Sequence, residues 1–207
     1  MSTIVAIVVV ATAVGIGWAI YRKVKDSSDS EQVEEQTSQK ALPDNLAGRH
    51  PTDLQLNDIV SHFGTDYVVE GRIDYEEGGY RWYEFMLVDG DDARWLCVEE
   101  DDQLEVTLWQ EIDDLMVDPP VPETLEYEGE EYRMIERGEA RAVQKGKTGR
   151  KKHPEVKYWD FSGSGDSYLS VEEWGGEIEV SKGTEVNLET LDVFPGDEVG
   201  TSSTVGV

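Results

Sequence analysis

The sequence predicts an all-β, internally duplicated antiparallel domain behind one N-terminal transmembrane helix. Three observations predict it. An aromatic hairpin (Trp82–Leu87, a turn, then Arg94–Glu100) returns as Tyr158–Phe161, a turn, then Ser167–Glu173. Strand-like runs alternate with Gly- and Asp-rich turns from residue 54 to 194. Seventeen uncharged residues, Ile4 to Ile20, lie near the start of the chain. Two copies of a unit of about 70 residues are too long for a solenoid and suggest paired half-barrels or a sandwich.

Residues 1–25 read as a transmembrane anchor with a basic flank. At ~1.5 Å per residue the apolar run is about 25 Å long, and Tyr21 with a snorkelling Arg22 extends it toward a ~30 Å core. Arg22, Lys23 and Lys25 follow the run rather than precede it, which argues against a cleaved signal peptide. The positive-inside rule then places the soluble part in the cytoplasm, on a single-pass protein of the cell membrane. Ala11, Gly15 and Ala19 recur every four residues, a spacing that serves helix association or simply reflects common small residues.

Residues 26–52 are rich in Ser, Glu, Gln and Asp and read as a disordered acidic linker. The first β repeat is expected over 53–120, with strands at Thr65–Tyr75, Arg81–Val88, Arg94–Glu99 and Gln103–Trp109. An irregular or helical piece then runs through Met116. Asp118-Pro119-Pro120 and Pro122 mark the boundary. The second repeat, 121–196, is expected at Thr124–Tyr127, Tyr132–Val143, Val156–Ser162, Tyr168–Glu173 and Glu177–Ser181, closed by Asn187–Phe194. Gly71 and Gly138 are matched between the copies, and 197–207 reads as a disordered tail.

Composition excludes several classes. With 45 acidic and 18 basic residues the net charge is -27, so nucleic acid is not an expected partner. A single cysteine, Cys97, rules out an intrachain disulfide. Cys97 with the scattered His50, His62 and His153 does not make a standard zinc site, and no metal or cofactor is expected.

The turn at Asp89–Asp92 sets a register. Phe85 faces Leu96 and Tyr83 faces Val98, while Phe161 faces Leu169 and Trp159 faces Val171; these form the core faces. The opposite faces carry Trp82, Glu84, Met86, Trp95, Cys97 and Glu99, and Tyr158, Asp160, Ser162, Tyr168, Ser170 and Glu172. The candidate ligand residues are Trp82, Glu84, Trp95, Glu99, Tyr158, Asp160, Tyr168 and Glu172. Aromatics beside carboxylates suit an organic cation. Glu84 and Glu99, about 7–8 Å apart as diagonal neighbours, could also act as acid and base. The plain alternative is a half-exposed strand face. No nucleophile or oxyanion donor is placed beside these acids, so no catalytic residue is assigned.

Basic residues cluster at Arg141, Lys145, Lys147, Arg150, Lys151, Lys152 and Lys157. They read either as contacts to anionic lipid headgroups or as a solvated loop.

Leu56-Asn-Asp-Ile-Val60, Tyr67-Val-Val-Glu-Gly-Arg72, Trp82-Tyr-Glu-Phe-Met-Leu87 and Trp95-Leu96 together resemble the bacterial family known as domain of unknown function 4178, over roughly 54–195. Asn57 stands where that family usually has glycine. Similar proteins tend to be encoded beside membrane-stress proteins of the phage-shock type, small membrane proteins and polyamine-synthesis-like enzymes. The resemblance thus implies a membrane-associated accessory role. The expected function is a membrane-anchored cytoplasmic binding or adaptor domain. The alternative is an organic-cation or polyamine sensor, and an acid/base hydrolase comes third.

Overall fold

The computed structural model describes residues 46, 49–101 and 103–196. The expected anchor (1–25), most of the expected linker and the expected tail (197–207) lie outside the described residues. The folded part starts earlier than residue 53. Leu46 is buried, a short 3-10 turn spans Pro51–Asp53, and Arg49 ion-pairs with Asp58 at 2.8 Å.

Eleven strands follow: β1 (Ile59–His62), β2 (Thr65–Glu77), β3 (Tyr80–Asp89), β4 (Asp92–Glu100), β5 (Leu104–Glu111), β6 (Thr124–Tyr127), β7 (Glu130–Gly146), β8 (Glu155–Ser162), β9 (Ser167–Trp174), β10 (Glu177–Glu185) and β11 (Leu191–Phe194). The segment after β5, read as irregular or helical, holds no helix. Two-residue turns with positive φ at both positions, Gly78-Gly79 and Gly175-Gly176, join β2 to β3 and β9 to β10. This twist matches that of the flanking strands, and only glycine adopts it without strain.

The strands β2–β5 form one antiparallel meander and β7–β10 a second of the same connectivity. Pairing of β5 with β10 and of β2 with β7 closes them into one eight-stranded antiparallel barrel. β1 and β11 extend the sheet beyond β2, and β6 extends it beyond β7. Of the two arrangements expected, paired half-barrels or a sandwich, continuous pairing around the ring rules out the sandwich, because neither meander is left with an edge.

The predicted register is observed: Phe85↔Leu96, Tyr83↔Val98, Phe161↔Leu169 and Trp159↔Val171. These faces point outward and are capped by apolar clusters. Phe85, Leu96 and Val98 pack with Val60, Leu54 and Leu191; Phe161, Leu169 and Val171 pack with Leu125 and Val117. A third cluster fills the lumen and draws on both meanders, joining Ile73, Tyr75 and Trp95 to Val156, Tyr158 and Trp174.

The expected match of Gly71 with Gly138 does not hold by register. Gly71 lies opposite Met86, whereas Gly138 lies opposite Tyr158, as Tyr75 lies opposite Trp82. Each glycine makes room for something different. A Cβ on Gly71 would stand 2.2 Å from the Lys147 carbonyl oxygen, and one on Gly138 2.6 Å from the Tyr158 hydroxyl.

Asn57 has φ +73°, a left-handed conformation that asparagine tolerates better than most residues, so the departure from glycine is accommodated. The neighbouring Asp58 is buried and structural. It accepts from the Gln55 and Gly196 backbone N–H groups, both at 2.8 Å, and so ties the two ends of the described fold together.

Candidate functional site

Alternation along each strand decides which side chains enter the lumen. Trp82 stands opposite Glu99, Glu84 opposite Cys97 and Met86 opposite Trp95. In the second meander Tyr158 stands opposite Glu172, Asp160 opposite Ser170 and Ser162 opposite Tyr168. Both sets point inward. The faces read as half-exposed strand surface therefore meet each other across the barrel, and Trp95 is only 2% exposed.

Between them lies a cavity of about 70 Å³. At ~10–15 Å³ per water centre, that is room for roughly five waters or a small ligand. Tyr75, Tyr80, Trp82, Trp109 and Tyr158 supply its aromatic wall. Glu84, Glu99, Glu136, Asp160 and Glu172 supply five carboxyl groups. Six of the eight sequence-predicted residues line the cavity; Trp95 and Tyr168 are buried on the same face without lining it. Sequence reasoning missed Tyr75, Tyr80, Trp109 and Glu136. Two of these were legible in principle: Tyr75 alternates with buried Ile73, and Trp109 falls directly across from Trp95.

One end of the lumen is held by Arg150. Its side chain is 5% exposed and pairs with Glu172 at 2.8 Å and with Glu179, while Glu84 lies at 4.0 Å. The guanidinium carbon sits 4.6 Å from the Trp95 ring centre and 5.8 Å from that of Trp174. The Trp174 indole N–H donates to Glu172 at 3.2 Å. The Tyr75 hydroxyl stands 2.9 Å from Glu84 and 3.4 Å from Glu172. A phenol has one proton and can donate to only one of these acids. The closer acid takes it: the Tyr75 hydroxyl donates to Glu84, a bond that favours the Glu84 carboxylate. Burial first, then the Glu172 charge, push the Glu84 carboxyl up to about 8, against the pull of Arg150.

The other end has a different balance. Glu99 accepts from the Tyr80 hydroxyl at 3.0 Å and from the Cys97 thiol at 3.6 Å. Burial raises Glu99 to about 7; the Tyr80 hydrogen bond opposes this, and the charges of Glu105 and Glu136 add to it. Asp160 is held well above the usual carboxylate range by burial, with Ser170 bonding to it and Glu136 and Glu99 repelling it. Among the described residues no ion pair reaches Glu99 or Asp160. Trp109 lines this cavity with a buried indole N–H that has no acceptor in the protein. Cys97 is buried, and desolvation with the Glu99, Glu84 and Asp160 charges pushes its thiol up, so it is no thiolate nucleophile.

Six of the seven basic residues are exposed, four of them paired with surface acids, and Arg150 alone turns inward. Arg141 and Lys145 lie on β7 and Lys157 on β8, so the connecting loop is only 147–154. Lys145 pairs with Asp74 at 2.6 Å, Lys147 with Glu70 at 3.4 Å, Lys151 with Glu177 at 3.1 Å and Lys157 with Glu173 at 3.4 Å. Arg150, expected as a lipid contact, is buried in the barrel and out of reach of a lipid surface. Arg141 and Lys152 are exposed, as are the four paired lysines. The motif residues Glu70 and Gly71 dock this loop. The Lys147 N–H donates to the Glu70 carbonyl at 2.9 Å, and the bare Gly71 lets the Lys147 backbone lie against β2.

Comparison with known proteins finds relatives of the same kind. Uncharacterized proteins of Mycobacterium bovis and Mycobacterium tuberculosis are each 34% identical over 157 residues, covering 72% of this chain and 75% of the relative. No solved structure shows significant similarity to the chain. The family described as domain of unknown function DUF4178 matches residues 55–188, which span the barrel from the end of the 3-10 turn through β10. The chain belongs to the DUF4178 family.

Proposed function

We propose that the barrel is a binding module for a small organic cation, taken up in the lumen between the two meanders. The observation that carries this reading is one cavity that gathers five aromatic side chains and five carboxyl groups. Such a wall attracts a cation through ring quadrupoles and through charge, and a desolvated cation over an aromatic face is stabilised by roughly 2 kcal/mol. The acids are costly to ionise in this enclosure when it holds no cation. An entering cation therefore releases that cost and displaces protons from Glu99 and Asp160.

The test is calorimetric titration of the full-length chain in detergent with small amines and guanidino compounds. Saturable heat that disappears in Asp160→Asn supports the reading. Absence of binding by every cation class tried sinks it.

Acid/base hydrolysis is the lesser reading. The cavity encloses Glu84 and Glu99 as that reading requires, but Glu84 is committed to Tyr75 and lies beside Arg150. The proposal further places the barrel on the cytoplasmic side of a membrane, held by residues 1–25, as an adaptor or sensor in a membrane-stress assembly, and treats the two meanders as copies of one ancestral unit. Deleting residues 1–25 is expected to release the protein from membranes in a sedimentation assay, and full retention refutes the anchor. Mass spectrometry of proteins co-purified from the native membrane tests the assembly.

A further inference from the structure

We infer that Tyr80 is the gate through which a ligand enters the lumen, closing it by bonding to Glu99. This rests on the cation-binding reading above and adds the route by which the site is reached.

The two ends of the lumen are closed by different means. At the Arg150 end the loop 147–154 is tied down along its length. The Lys147 N–H donates to the Glu70 carbonyl at 2.9 Å and the Thr148 hydroxyl to the Gln144 side chain at 2.9 Å. The Gln144 amide donates to the Lys151 carbonyl at 3.0 Å, and the Lys151 ammonium to the Gly175 carbonyl at 3.0 Å. Thr148 and Arg150 are buried, and Arg150 pairs with Glu172 and Glu179. A ligand entering there would have to break a buried ion-pair cluster, which is costly.

At the other end the closing element is Tyr80. It is the first residue of β3 and pairs with Glu77 across the Gly78-Gly79 turn. Alternation puts it on the face of Trp82 and Glu84, so it is the last inward side chain of β3 before an exposed turn. Its ring stacks on Trp82 with centres 6.0 Å apart, and its hydroxyl donates to Glu99 at 3.0 Å. Glu99 in turn accepts from the Cys97 thiol at 3.6 Å. Tyr80 is half-buried and lines the cavity, so it stands between solvent and the Glu99–Cys97 pair.

The turn permits the motion. Gly78 and Gly79 have φ of +60° and +97°, and a Cβ on Gly79 would meet nothing within 4 Å. Such a turn absorbs backbone rotation without collision, as hinges of small residues do. Swinging Tyr80 outward breaks its hydroxyl bond and its ring stack, while the β2–β3 ladder from Glu76↔Arg81 inward stays paired. An arriving cation also competes with the phenol for Glu99, replacing a neutral donor by a charged one.

Cys97 is the only cysteine in the chain and lines the cavity beside Glu99, so its labelling reports entry. The full-length chain in detergent is treated at pH 8 with methyl methanethiosulfonate, a small neutral thiol reagent, and the product is followed by intact mass. Tyr80→Phe keeps the ring and loses the latch, and it is expected to label about tenfold faster than the wild type. Tyr80→Ala is expected to label at least as fast as Tyr80→Phe. Arg150→Lys, at the far end, and Val193→Ala, a truncation in the outer core, are expected to leave the rate unchanged. Unchanged rates in both Tyr80 variants overturn the gate. Equal acceleration by Arg150→Lys moves the entrance to the loop, and equal acceleration by Val193→Ala assigns labelling to global unfolding; either result overturns it too. The cation reading is tested separately on the Tyr80→Ala chain with 2-aminoethyl and 2-sulfonatoethyl methanethiosulfonate, each rate divided by that reagent's rate with mercaptoethanol. The cationic reagent is expected to lead by about tenfold or more. Equal ratios overturn cation selection by the lumen and leave the gate, read with the neutral reagent, standing.

Discussion

The two ends of the lumen are built from corresponding strand positions, yet they stand in opposite electrostatic states. At the Arg150 end, Glu172 and Glu179 face a buried guanidinium, and the Tyr75 hydroxyl lies 3.4 Å from Glu172. At the other end no ion pair among the described residues reaches Glu99 or Asp160, and both line the cavity. The same strand connectivity thus gives a structural clamp in one half and a candidate binding site in the other. The difference comes from a connection, not from the sheet. A long β7–β8 loop carries an arginine inward, and a two-glycine turn carries nothing.

The strongest way to break the comparison is to remove the built-in cation. Arg150→Ala leaves buried acids without a partner, and the expected loss is about 3–5 kcal/mol by urea denaturation. A loss under about 1 kcal/mol, the range of an exposed pair, would mean Arg150 is not the clamp described here. Gly71→Ala acts on the same end indirectly. Its new Cβ would press on the Lys147 carbonyl and displace the loop that holds Arg150, at an expected cost of about 1–3 kcal/mol.

The opposite end responds in the other direction. Glu99→Gln and Asp160→Asn are each expected to raise the melting temperature at pH 8 in ligand-free protein, because each replaces a buried acid that has no ion-pair partner among the described residues by a neutral amide. A lowered melting temperature would show that these acids are already balanced.

Stability should also follow pH in a definite sense. Glu84 and Glu99 have folded values raised to about 8 and about 7, above their ordinary value of 4.5. The folded state therefore holds protons that the unfolded chain has released. Their stabilising contribution is complete below about pH 4.5 and is lost as pH rises through about 7 for Glu99 and about 8 for Glu84. The melting temperature contributed by these groups should fall between pH 5 and pH 8, and Glu84→Gln with Glu99→Gln should flatten that slope. An unchanged slope in the double variant assigns it to other groups.

The smallest effect is expected on the outside. Lys151→Ala removes an exposed pair with Glu177 and should cost less than about 1 kcal/mol in the same denaturation assay.

Local chemistry made much of the fold legible. Asp89–Asp92 closes a hairpin, so Phe85 must face Leu96 and Tyr83 must face Val98, and the same logic holds for Phe161 and Leu169. Pairing across one turn depends on few residues and one register. That Trp82, Glu84 and Glu99 share one face, and Tyr158, Asp160 and Glu172 another, followed from the same alternation; that both faces turn inward did not.

What lies across the barrel from those faces was not legible. That Glu84 joins Glu172 and Asp160 joins Glu99 depends on β5 pairing with β10 and β2 with β7, contacts between residues far apart in the chain. No local propensity encodes such a closure. At one seam Trp109 lies over Gly183, a fit visible only once the strands meet. Arg150 shows the same division most clearly. Its sequence neighbours make it one of a basic run, and by composition it belongs at a surface. Its burial follows from the loop resting on Gly71 and from the acids waiting in the lumen. Strands, hairpin registers and shared faces follow from period-two alternation and short turns, which are local properties of the chain. That the two faces enclose one cavity with an arginine at one end is fixed by non-local strand pairing, which brings together residues far apart in the chain.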